Sequence, residues 1–115
     1  MAAALVGRIL AARESWCDLG DGLRVRIRRP AEAELGRALR SLDATFVLGC
    51  VTGWEGFTEA TFLGDAVGAS DALPFDADTW RAGAEDRADW IKAVSAELVR
   101  VIESHMAATK ERRGN

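Results

Sequence analysis

The clearest periodicity in the chain lies near its end, where Ile91, Val94, Leu98, Val101, Ile102 and His105 share one helical stripe while Lys92, Glu97, Arg100 and Glu103 fall away from it. This spacing predicts a long amphipathic C-terminal helix, with Asp86 and Asp89 near its start, helical structure to about residue 107 and a frayed polar tail over 109–115. A different period governs Leu23, Val25 and Ile27, which alternate with Arg24, Arg26 and Arg28. A repeat of two puts the aliphatic side chains on one face of a strand and the arginines on the other. With Ser15-Trp16-Cys17-Asp18 before it and Gly20-Asp21-Gly22 between, the segment reads as a β-hairpin over about 14–28.

Leu5, Ile9 and Leu10 among alanines predict a short helix over 3–12. Pro30, placed where its missing N–H costs nothing, and the Leu35, Leu39, Leu42 repeat predict a helix from about Pro30 to Leu42. The stretch Ala44 to Gly53 has almost no polar face, and its steps of four from Phe46 to Cys50 to Trp54 favour a buried helix over a strand. Glycines at 53, 56, 64 and 68 mark Gly53 to Pro74 as an ordered loop with about one turn of structure. Asp76 then caps a short helix running to about Ala82. The expected fold class is α+β: a small N-terminal β-hairpin, a mainly helical remainder over about 30–107 and a long amphipathic C-terminal helix, in a single domain spanning 1–115.

Composition bounds the function more than it specifies it. With 115 residues, 49% of them hydrophobic, the chain can close one modest core without staples. No run of about 18 apolar residues occurs, so no membrane span is expected and the cytoplasm is the expected location. Cys17 and Cys50 lack partners at metal-ligand spacing and read as buried free thiols. The net charge of −3 is unevenly spread, with eight Arg against six acids over 1–50, two Arg against nine acids over 51–90, and five bases against three acids over 91–115. The acidic centre lacks the alternation of a calcium loop, and the glycines near Trp54 lack the spacing and Lys of a phosphate loop. His105, the only histidine, falls beside the apolar stripe and reads as a packed or capping residue. These features predict no catalytic, cofactor-binding or metal-binding residues and a protein that is not an enzyme. Arg24, Arg26 and Arg28 are the candidates for nucleic-acid contact, through a ribbon with one basic face. The acidic total and the lack of interleaved aromatics disfavour that partner.

Trp54-Glu55-Gly56-Phe57, followed by a loop and then by Leu73-Pro74-Phe75-Asp76 opening a helix, resembles small tail assembly chaperones and related minor tail proteins of long-tailed bacteriophages. The resemblance covers roughly 45–107, and the strand pair ending in Arg28-Arg29-Pro30 is similar as well; the segment Thr58 to Ser70 departs from the shorter link of that pattern. It implies a non-enzymatic protein that binds the tape measure protein, or another tail protein, during virion morphogenesis, and it leaves room for a homo-oligomer. Trp54, Gly56, Phe57, Pro74, Phe75 and Trp80 are then either determinants of the fold or contacts to that partner. Trp54 can anchor the loop, Gly56 permits a turn that a Cβ resists, and Pro74-Phe75 fixes entry to the next helix. That architectural role is the expected one.

Overall fold

The computed structural model describes residues 2–40 and 43–114. In chain order these form α1 (Ala2–Ala11), β1 (Glu14–Gly20), β2 (Leu23–Arg28), a 3-10 turn (Glu32–Glu34), α2 (Leu35–Arg40), α3 (Ala44–Gly49), β3 (Val51–Glu55), α4 (Glu59–Leu63), α5 (Ala77–Ala84) and α6 (Ala88–Arg112). The three strands make one antiparallel sheet in the order β1-β2-β3. The α+β class, the hairpin and the long last helix are as the sequence leads one to expect.

The hairpin closes through Asp21 and Gly22, both at positive φ (55° and 77°), which matches the right-handed twist of the flanking strands. Cys17 pairs with Val25 and Ser15 with Ile27, so Cys17, Val25 and Ile27 bring buried apolar side chains to one sheet face, with Ser15 at its margin. Against it lies α6, whose Trp90, Val94, Leu98 and Ile102 are all buried. Each such side chain contributes about 1.5–3 kcal/mol when taken out of water. Val47 and Leu48 of α3 and Trp80 and Ala84 of α5 complete the same cluster.

Four boundaries differ from the sequence-based expectation, each for a physical reason. The helix expected over Ala44 to Gly53 stops at Gly49, and Val51–Glu55 instead forms β3. Beyond Gly49 the open edge of β2 offers backbone partners that a helix would leave unmet, so tertiary pairing overrides the four-residue spacing. The helix expected from Pro30 starts later, because Ala31 stays extended (ψ 152°) and a 3-10 turn precedes Leu35; Leu42, its expected end, lies outside the described residues. The N-terminus of α6 has Arg87 at the cap position with no capping side chain, and Asp89 sits inside the first turn, held by the Arg87 guanidinium at 2.8 and 3.0 Å. Finally, the tail expected to fray is helical to Arg112, with Thr109 buried. Glu32 holds it there, accepting from Arg113 at 2.9 Å and lying 3.0 Å from His105 Nε2.

Candidate docking surfaces

The tryptophan corner is built inward. Trp54 at the end of β3 stacks on Phe57 (centroids 4.5 Å apart, planes at 12°) and meets Phe75 edge-on at 5.1 Å. Its indole N–H donates to the Leu73 carbonyl at 2.7 Å, which pins the far side of the loop to the sheet. Phe57 in turn meets Trp80 and Trp90 edge-on, and those two indoles stack at 5.7 Å. Trp80 donates to the Leu48 carbonyl at 3.1 Å. Gly56, at φ 89°, lies so close to the Gly22 carbonyl that a Cβ would collide with it. Pro74 is exposed and leads Phe75 into the cluster before Asp76 caps α5 by accepting from Thr79 N at 2.9 Å. Trp54, Gly56, Phe57, Phe75 and Trp80 thus come together as fold determinants, and they offer little to a partner.

The arginine row lies on the sheet face away from α6. Arg24 bonds Glu55 at 2.7 Å and lies over the Trp16 ring, 4.3 Å from its centroid. Arg26 donates to Thr52 Oγ1 and Thr52 O at 3.1 and 3.0 Å and lies 3.5 Å from Glu14, which also pairs with Arg28 at 2.8 Å. Because β2 is the central strand, carboxylates from both neighbouring strands reach this row. The expected two-stranded basic ribbon is instead a three-stranded face with Arg24, Arg26 and Arg28 all ion-paired, so no observation favours nucleic acid as its occupant.

Two other surfaces, not marked by the sequence, have no such internal match. Helix α1 carries Leu5, Val6 and Ile9, which are 56%, 54% and 48% exposed, and among its described side chains only Leu10 near its end is partly covered. At the Arg28 end of the sheet lies a groove of about 700 Å³ between the end of α1, α2 and α3. Leu10, Ala38, Phe46 and Cys50 supply its apolar lining, and Arg13, Arg28, Arg29 and Arg37 line it alongside Glu34 and Asp43. Asp43 is engaged as the N-cap of α3, accepting from Phe46 N at 2.8 Å. Among the described residues, Arg13, Arg29 and Arg37 pair with no carboxylate. Burial and, to a lesser extent, the neighbouring Arg13 charge lower the pKa of Arg29, with Glu32 acting in the opposite direction. Periodicity could not reveal this groove, since its parts come from segments that alternate or repeat for other reasons.

Nucleophiles are poorly supplied. Burial, with Glu97 and Asp18 nearby, pushes the Cys17 thiol up to about 11, and burial does the same for Cys50, so neither forms thiolate readily near neutral pH. His105 is occupied with Glu32 and lies 3.4 Å from Thr109 Oγ1, the packed role expected for it. Among the described residues no group of three His, Cys, Asp or Glu is placed to hold a metal ion, and no helix is long and apolar enough to cross a membrane.

Fold and surface together define a small α+β protein with an aromatic-filled core, one bare apolar helix and one arginine-rimmed groove. No family model, no curated protein and no solved structure matches the chain.

Proposed function

We propose that the chain is a non-enzymatic tail assembly chaperone, or a closely related morphogenesis factor, of a long-tailed bacteriophage, and that it holds the tape measure protein in the host cytoplasm through α1. The observation that carries this reading is the bare helix: three large aliphatic side chains on neighbouring positions, with Leu5 and Ile9 one turn apart, stand in solvent. An apolar helical face is the form in which one helix recognises another, and a long helical partner would cover it. The Trp54 to Asp76 resemblance supplies the identity of the partner, and because the α6 stripe is buried in the core, the exposed face of α1 is the helical face left to support docking.

Co-expression tests it. The wild-type chain keeps a tape measure protein soluble and is recovered with it by affinity capture, whereas Leu5→Glu/Ile9→Glu loses both while its own melting temperature stays unchanged. A tape measure protein that precipitates equally with and without the wild-type chain removes the reading.

A further inference from the structure

The groove at one end of the molecule has a counterpart at the other. Beyond β3, α4 and the turn after it form a tip on which Leu63 is 60% and Val67 75% exposed. Glu59, Asp65 and Asp71 stand exposed around them. The tip is an ordered shape: Ala60 N donates to the Ala69 carbonyl at 3.0 Å, Ala69 N donates to Glu59 Oε1 at 3.2 Å, and Leu73 N donates to the Phe57 carbonyl at 2.9 Å. A Cβ on Gly68 would collide with the Glu59 and Ala60 backbone, so the turn is folded tightly onto α4.

The tip follows the β3 end that packs on Gly22, whereas the groove sits at the Arg28 end of β2. No residue of the tip lines the groove of its own chain. One surface presents aliphatic side chains among carboxylates; the other presents an apolar floor beside Arg13, Arg29 and Arg37, which pair with no carboxylate among the described residues, together with Glu34, the ion-paired Arg28 and the capping Asp43. We propose that copies of this chain associate head to tail, Leu63 and Val67 of one seating against Leu10 and Phe46 of the next, with Asp65 and Asp71 facing Arg13 and Arg29. Such a contact is heterologous, since different surfaces of identical chains meet, and it extends into a ring or a filament instead of stopping at a symmetric pair. This association uses Leu10 at the end of α1 and none of Leu5, Val6 and Ile9.

Sedimentation velocity of the full chain across concentration and salt tests it. The wild type grows beyond a dimer as concentration rises, and higher salt reverses that growth because the paired charges are screened. Leu63→Asp/Val67→Asp weakens association about tenfold or more, since two apolar side chains no longer leave water. The decisive arm uses charge reversal. Arg13→Glu/Arg29→Glu and Asp65→Lys/Asp71→Lys are each monomeric alone, and mixing the two variants restores association, because each supplies the end that the other has reversed. Far-UV circular dichroism of each variant confirms that it is folded. A wild type that stays monomeric at every concentration, a dimer of fixed mass indifferent to the tip variants, or a mixture that fails to associate overturns the proposal.

Discussion

The two terminal helices are both apolar-patterned, yet they do opposite things. α6 carries its stripe of Trp90, Val94, Leu98 and Ile102 into the core, so every one of those side chains is buried. α1 carries Leu5, Val6 and Ile9 into solvent. Spacing at helical intervals therefore establishes that a helix can have an apolar face, and leaves open what covers that face. In α6 the cover is the sheet, α3 and α5; in α1 nothing within the described chain supplies it. The difference separates stability from recognition along one sequence: changes on the α6 stripe are felt by the fold, and changes on α1 are felt by a partner.

Equivalent truncations on the two helices break this comparison most directly. Leu98→Ala leaves a cavity under the sheet and costs about 2–5 kcal/mol of unfolding free energy. Leu5→Ala changes an exposed side chain and shifts stability by less than about 0.5 kcal/mol. Urea denaturation followed by tryptophan fluorescence reads both. Equal losses in the two variants would mean that α1 is packed in solution and would remove the basis for giving it a docking role.

The next largest effect tests what holds α5 and the aromatic cluster beside α6. Gly83 of α5 faces the Phe62 ring so closely that a Cβ there would overlap it. Phe62 lies 6.1 Å from Trp90 and 5.7 Å from both Trp54 and Phe57. Gly83→Ala, a substitution that raises helix propensity, is therefore expected to destabilise by about 1–3 kcal/mol through overpacking. Near-ultraviolet circular dichroism should lose part of its tryptophan signal at the same time. Gly7→Ala in α1, where a Cβ would meet no atom within 4 Å, serves as the matched control and should be neutral or slightly stabilising.

The contrast also shows where sequence reading succeeds. The hairpin is legible because Leu23, Val25 and Ile27 alternate strictly and Asp21-Gly22 specifies its turn. The capping of α5 is legible because Asp76 does locally what its type favours. β3 is not legible, because Val51 and Trp54 become strand residues through pairing with Ile27 and Val25, contacts that lie more than twenty residues away. The end of α6 misleads for the same reason: Thr109 looks like a fraying residue until Glu32, from a distant turn, reaches His105 and Arg113. Of the motif residues, Trp54 and Phe57 signal architecture through their aromatic type and glycine neighbour. The arginine groove stays hidden, because Arg13, Arg29 and Arg37 resemble every other arginine until the fold sets them around one cavity.

The smallest effect sharpens the comparison through pH. α6 is tied to β1 by Glu97, which accepts from Ser15 Oγ at 2.6 Å and pairs with Arg100. The hydrogen bond from Arg100, with a smaller contribution from Ser15, holds the Glu97 carboxyl below its ordinary value of 4.5. A carboxyl whose folded pKa is depressed binds its proton less readily in the folded than in the unfolded chain. Its contribution to stability is therefore fully present above pH 4.5 and is lost as pH falls through the lower folded value. Glu97→Gln has no such titration, so the stability difference between wild type and variant should narrow as pH falls below 4.5, as read from urea midpoints at successive pH values. α1 contains no acidic residue, and Leu5→Glu/Ile9→Glu introduces only exposed carboxyls there. That variant should consequently follow the wild-type pH profile closely. A profile flattened by the α1 changes, and untouched by Glu97→Gln, would place the titrating contact on the wrong helix and undo the separation between a stabilising C-terminal helix and a recognising N-terminal one.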